Sequence, residues 1–214
     1  MPSLVARLVG MAIVFVARFI TAVRGLWQGI APAAGRRVYF ANHTSHGDFI
    51  LVWTVLPPRL RRAARPVAGA DYWLASRLRR FLGCDVFKAV LIDRTPSRSG
   101  LNPIEQMCTA LDAGASLILF PEGTRNTTGA SLLPFKSGLY HLARARPDVD
   151  LVPVWIDNLN RVMPKGEVVP IPLICTVTFG APLRLHPTEA KAGFVARAEQ
   201  ALLALAPRKA EGES

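Results

Sequence analysis

Acidic side chains are missing from the first 47 residues of this 214-residue chain; Asp48 is the first. Basic ones are plentiful there. Residues 1–92 carry 13 Lys and Arg against 3 Asp, whereas residues 93–214 carry 13 against 12 acids. The formal net charge of +11 therefore belongs to the first half. Such an imbalance implies an anionic partner, either a lipid surface or a nucleic acid. Nucleic-acid binders pair a basic patch with stacking aromatics or a recognisable reading module. Aromatics make up only 8% of the chain and no such module is present, so nucleic acid is not expected. Cysteine is scarce: Cys84, Cys108 and Cys175 form no Cys-x-x-Cys pair. That excludes a disulfide framework and a zinc cluster, and it points to a reducing compartment.

Two further absences narrow the reading. No Gly-x-Ser-x-Gly elbow occurs, so a hydrolase built on a Ser/His/Asp triad lacks its nucleophile. Residues 4–30 are mostly apolar, but Arg7, Arg18 and Arg24 interrupt them, and the longest uncharged run, Leu8–Ala17, is ten residues. A spanning helix needs about 20. A signal peptide tolerates so short a core, yet Arg18 falls where its cleavage region should begin. On a helical wheel Arg7 and Arg18 lie close together. The segment is expected to be a helix lying in the membrane interface, with its arginines reaching headgroups and Trp27 as an anchor. A helix packed on the domain's own core is the competing reading.

The remainder of the chain alternates between short β-rich runs and helical stretches. Strands are expected at Arg37–Ala41, Pro66–Ala68, Val86–Ile92, Ser116–Phe120, Leu151–Trp155 and Cys175–Phe179. Helices are expected at Gly47–Leu56, Tyr72–Leu82, Pro103–Ala113, Ser137–Ala145 and Pro187–Leu205. Asn102 and Pro103 form an N-cap and first-turn pair. The pattern predicts one α/β domain with a mostly parallel central sheet flanked by helices. An N-terminal helical arm (residues 1–34) precedes it, the domain covers 35–206, and a polar, frayed tail covers 207–214.

Two polar clusters each come directly after an apolar run. Asn42-His43-Thr44-Ser45-His46-Gly47-Asp48 succeeds Val38-Tyr39-Phe40, and Phe120-Pro121-Glu122-Gly123-Thr124-Arg125 succeeds Leu117-Ile118-Leu119. Polar clusters at the ends of buried strands are the layout of an α/β active site. A His beside a carboxylate can take a proton from an alcohol, the carboxylate fixing the tautomer. On a straight helix five residues turn through about 140°, so His43 and Asp48 meet only where the backbone bends. Ser45 is a candidate N-cap, and Gly47 eases such a bend. His46 is read as a loop histidine without a task. Arg125 offers a fork of donors for phosphate, Thr124 a hydroxyl, and Gly123 close approach of the backbone. Glu122 could hold a hydroxyl or brace Arg125. Arg94, at the end of Leu91-Ile92-Asp93, would be a second phosphate clamp, and Lys136 could join the same field. No metal-ligand cluster is evident. These parts fit a one-step transfer: an acceptor hydroxyl, deprotonated by His43, attacks an activated acyl carbon.

At these residues the chain resembles the glycerophospholipid acyltransferases. The ordered blocks are Asn-His-x-Ser-x-x-Asp (42–48), Ile-Asp-Arg (92–94), Phe-Pro-Glu-Gly-Thr-Arg (120–125) and Val-Pro-Val (152–154), and the bacterial 1-acylglycerol-3-phosphate acyltransferases are the most similar group. The resemblance implies His43 as general base and Asp48 as its partner. It implies that Arg94, Glu122, Gly123, Thr124 and Arg125 bind lysophosphatidate, and that Pro153 shapes the acyl-donor region. It also implies no cofactor, with acyl-CoA or acyl carrier protein as co-substrate. The expected setting is monotopic, on the cytoplasmic face of the cell membrane. One departure stands out: Lys88-Ala89-Val90-Leu91 replaces the family's frequent Gly-x-x-Phe before Ile-Asp-Arg. The segment Arg59–Arg80 adds seven Arg and one acid, read as a solvated face or as a site for headgroups or an acidic carrier protein. Acylation of another lyso-lipid, such as a lysophospholipid or lyso-ornithine lipid, and a non-catalytic basic membrane-binding module are the alternatives.

Overall fold

The computed structural model describes residues 3–93, 102–157 and 174–207. Its centre is a seven-stranded sheet of β1 (Arg24–Trp27), β2 (Arg37–Ala41), β3 (Ala64–Gly69), β4 (Val90–Ile92), β5 (Ser116–Leu119), β6 (Asp150–Asp157) and β7 (Thr176–Phe179). The spatial order is β1-β7-β6-β2-β5-β3-β4, and every neighbouring pair is parallel except β6 with β7. The α/β class and mostly parallel sheet expected from sequence are both present. All five residues of β2 are buried, as a central parallel strand with helices on both faces requires.

Alternation along β2 sends its side chains into two cores. Val38 and Phe40 join Leu117, Leu119 and Leu151 on one face, under α6 (Pro103–Asp112), α7 (Gly138–Ala145) and α8 (Lys191–Leu203). Tyr39 and Ala41 join Ile118, Val152, Val154, Val177 and Phe179 on the other. There α2 (Asp48–Val55) covers the sheet, α1 (Leu4–Thr21) packs on α2, and α3 (Pro58–Ala63) follows α2. Complete burial of a side chain such as Phe40 or Phe179 contributes about 1.5–3 kcal/mol. At the start of α6, Asn102 Oδ1 accepts the Ile104 N–H at 2.9 Å and Pro103 takes the first position, as anticipated.

The structure departs from the expected elements at several points. The N-terminal helix ends at Thr21, not near residue 30 or 34, and Arg24–Trp27 is an edge strand of the sheet. Trp27 stacks on Phe179 with centroids 4.1 Å apart, so its ring packs on the sheet instead of reaching out as an anchor. The helix expected over Tyr72–Leu82 breaks into α4 (Ala70–Trp73) and α5 (Arg77–Arg80), followed by a π-helical stretch, Phe81–Val86. That stretch occupies the start of the strand expected over Val86–Ile92, of which only Val90–Ile92 is extended. Ser76 explains the break: its hydroxyl accepts the Arg79 N–H and begins a new helix. The helix expected from Pro187 starts at Lys191.

Arg61, one of the seven arginines of the basic segment, is half-buried, and its guanidinium is engaged by the protein's own backbone. Its Nε donates to the Trp53 carbonyl (3.0 Å), and its Nη2 donates to those of Thr54 (2.8 Å) and Leu56 (2.9 Å). It thereby satisfies the orphan carbonyls at the end of α2. Burial, and secondarily the charge of Arg18, lowers its pKa. Arg94 and the tail 208–214 lie outside the described residues.

Candidate active site

Strands β2 and β5 are parallel neighbours, with Phe40 opposite Leu119. Their carboxyl ends therefore release the two polar clusters side by side. The bend that the His43–Asp48 spacing demands is made by residues 43–47, before α2 begins. The Asp48 N–H donates to the Ser45 carbonyl, and Gly47 occupies the N-cap with no side-chain cap bond. Ser45 instead turns its hydroxyl to the Gly47 N–H, so it is not the helix cap expected of it.

The pair meets. His43 Nδ1 and Asp48 Oδ2 are 2.8 Å apart, and the same oxygen accepts the N–H groups of Thr44 (2.6 Å) and Ser45 (2.8 Å). Asp48 is completely buried, whereas the His43 side chain is 21% exposed. An Nδ1–H donated to Asp48 leaves Nε2 as the basic nitrogen, the tautomer that proton abstraction needs. The imidazole lies on the Phe120 ring, with centroids 4.2 Å apart and planes 19° from parallel.

Glu122 holds this arrangement together. Its Oε1 accepts the His43 N–H at 2.7 Å, its Oε2 accepts the Leu133 N–H at 2.9 Å, and only 2% of the residue is exposed. Burial pushes its carboxyl above the ordinary Glu value, and the two N–H donors pull partly back. The expectation that Glu122 binds a substrate hydroxyl or braces Arg125 is therefore replaced. Its oxygens face the protein's own backbone, and it fixes the loop that carries His43. Asn126, which sequence reasoning passed over, completes the clasp, its N–H donating to the His43 carbonyl at 2.7 Å. Asn42 was also unassigned. It exchanges two buried bonds with Ile156 of β6, Nδ2 to carbonyl at 3.0 Å and N–H to Oδ1 at 2.8 Å. Its place in the Asn-His block was the available signal.

Gly123, Thr124 and Arg125 are exposed beside the pair. Gly123 has φ +70°, and the Lys136 chain lies directly across it: a Cβ there would come within 2.7–2.8 Å of Cδ, Cε and Nζ. The positive φ favours glycine, whereas the end of the Lys136 chain could swing away from a larger residue. Lys136 thus joins the cationic side of the site, as anticipated. Arg125 also stands near His46, whose pKa is lowered by burial first and by the Arg125 charge next. Among the described residues, no group of three or more His, Cys, Asp or Glu is placed to hold a metal ion. Pro153 is buried within β6, opposite Phe40, its carbonyl accepting the Gly180 N–H.

A histidine whose tautomer is fixed by a buried carboxylate at the ends of parallel strands can take a proton from a hydroxyl, the equipment of a group-transfer or hydrolytic enzyme. The family model described as Acyltransferase matches residues 28–157, more than half of the chain, and the chain belongs to that family. Among curated relatives, it is 30% identical over 156 residues (70% of this chain, 46% of that protein) to a 1-acyl-sn-glycerol-3-phosphate acyltransferase from Cocos nucifera. It is 30% identical over 145 residues (62% and 54%) to the Escherichia coli K12 protein of the same name. The chain thus spans about half the length of these relatives. In fold it is similar to the crystal structure of the 1-acyl-sn-glycerophosphate (LPA) acyltransferase PlsC from Thermotoga maritima. The TM-score is 0.71 at 18% identity, covering 98% of this chain and 83% of that one.

Proposed function

We propose that the protein moves a fatty acyl group from a thioester to the sn-2 hydroxyl of lysophosphatidate, giving phosphatidate. The observation that carries this reading is the 2.8 Å contact between Asp48 and Nδ1 of His43, with the Gly123–Arg125 turn alongside. Nε2 takes the proton of the acceptor hydroxyl as its oxygen attacks the thioester carbonyl. A C–O bond forms, the C–S bond breaks, and the proton passes to the departing thiolate. Main-chain N–H groups of the Thr124–Arg125 turn steady the developing oxyanion. A thioester is already activated, so the step asks for no metal and no acyl-enzyme. Arg125 and Lys136 receive the acceptor's phosphate, with Arg94 as a further clamp. The donor is acyl-CoA or acyl carrier protein.

The membrane side of the reading rests on α1. This 18-residue helix is long and apolar enough to cross a bilayer. Ala6, Gly10 and Thr21 are buried against the domain while Leu4, Leu8, Met11, Phe15 and Phe19 are exposed. A helix with one face packed on its own domain and an apolar face outward suits one leaflet of a membrane, and we assign that leaflet to the cytoplasmic side.

Purified protein assayed with lysophosphatidate and with phosphate-free lyso-lipids, each with both donor types, tests this reading. Acyl transfer to lysophosphatidate, with little or none to phosphate-free acceptors, is expected. Arg125→Ala should raise the acceptor KM about tenfold or more, the worth of a charged hydrogen bond. Equal turnover of phosphate-free acceptors would assign the activity to another lyso-lipid. Absence of transfer with every pair would end the reading.

A further inference from the structure

We propose, building on that acyltransferase reading, that Arg79 is an additional phosphate-binding residue, propped at the rim of the site by a stack on Tyr72 and His46. Three observations carry it. His46 and Tyr72 stack nearly parallel, with centroids 5.8 Å apart and planes at 13°. The Arg79 guanidinium lies over the same tyrosine, its Cζ 4.5 Å from the ring centroid. The Arg79 backbone is itself fixed, its N–H donating to Ser76 Oγ at 3.3 Å.

The prop is tied to the catalytic helix. Trp73, next to Tyr72, is buried edge-on against Phe49 (5.9 Å) and Phe87 (6.0 Å), and Phe49 is the residue after Asp48. The segment carrying Arg79 is therefore fastened to the start of α2, not draped over it. Among the described residues no carboxylate pairs with Arg79. Arg125 and Arg79 both add, behind burial, to the lowered proton affinity of His46. Guanidiniums from two separate segments thus border the His43–Asp48 loop. A guanidinium held over a ring by its Cζ can still offer N–H groups to a ligand, and such donors receive phosphate oxygens. Both substrates of the proposed reaction bring phosphate esters: the acceptor headgroup, and the phosphorylated arm of the donor's carrier.

The test is steady-state kinetics of Arg79→Ala, Tyr72→Leu and Tyr72→Phe. The KM of lysophosphatidate and of acyl-CoA is measured separately, alongside equilibrium binding of lysophosphatidate and of CoA without turnover. Arg79 is exposed, so its loss leaves folding intact. Arg79→Ala should raise one of the two KM values about tenfold with kcat little changed. The substrate affected names the phosphate that is bound. Tyr72→Leu should reproduce this shift, and Tyr72→Phe, which keeps the ring, should not. Unchanged KM values and unchanged binding in Arg79→Ala would overturn the inference, as would equal damage from Tyr72→Phe and Tyr72→Leu. A wild-type protein that binds these ligands but transfers no acyl group would defeat the reaction reading alone. The binding comparison would then still decide the role of Arg79.

Discussion

The carboxylate of Glu122 accepts the main-chain N–H of His43 at 2.7 Å, so the loop after β5 holds the loop after β2 in place. The motif residue that looks most available for substrate is a buried strut. Glu122→Gln tests it. The amide must turn its NH2 toward either the His43 or the Leu133 N–H, leaving a buried donor unmet at a cost of about 1–3 kcal/mol. Denaturation should show that loss, and turnover should fall with it. Burial raises this carboxyl's pKa, so the folded state holds its proton more tightly than the unfolded chain does. The resulting stabilisation is complete below the ordinary value of 4.5 and is lost as pH rises through the raised one. The wild-type advantage in denaturation midpoint should therefore carry a pH slope across that window, referenced to the variant. A parallel pair of pH profiles would argue against the buried titration.

His43→Ala should lower turnover about 10²–10⁴-fold if Nε2 takes the acceptor's proton. Asp48→Asn makes a finer cut. Its amide oxygen can keep the three donors now on Oδ2, so the loop should hold its shape while the charge facing the imidazolium is removed. Loss of turnover with a retained melting profile is expected. Near-normal turnover in either variant would remove the acid–base role.

Asn42 joins β2 to β6 through both polar atoms of its amide. Asn42→Ala leaves the N–H and carbonyl of Ile156 without those partners in a buried place, at about 1–3 kcal/mol each. Chemical denaturation should register the loss. A change smaller than about 0.5 kcal/mol would mean that another group takes over those bonds.

Phe15 and Phe19 stack on each other on the outer face of α1, 71% and 81% exposed. Replacing both with Asp should abolish co-sedimentation with phosphatidylglycerol vesicles and leave the thermal midpoint unchanged. Undiminished sedimentation would show that α1 is not the anchor. Cutting away the first 30 residues would be a poorer test, because it also removes an edge strand.

The central strands were legible because parallel strands covered on both faces become unbroken apolar runs. The strand Arg37–Ala41 has the bounds its apolar run predicts. Strand β1 was not legible, because Arg-Gly-Leu-Trp at a sheet edge has neither an apolar run nor clear alternation, and the apolar stretch before it reads straight through. Residues 72–86 misled for a different reason. Their apolar and basic residues suit a helix, but the Ser76 cap and the packing of Trp73 on Gly83 set the path of the chain, and both are settled by neighbours. The His43–Asp48 pairing could be expected from residue type and spacing. The inward turn of Glu122 could not, because a carboxylate in a Glu-Gly-Thr-Arg turn suits a ligand as well as a backbone.

Helix α1 passes into β1 through only two residues, Ala22 in a left-handed turn and Val23, while the Thr21 carbonyl is held by the N–H of Cys175 at the foot of β7. A join so short and doubly fastened leaves no swivel. Whatever surface α1 rests on, the sheet must share its attitude, and the imidazole of His43 stands at a set height and bearing above that plane. Reach toward a substrate is then a matter of architecture, not of tether length.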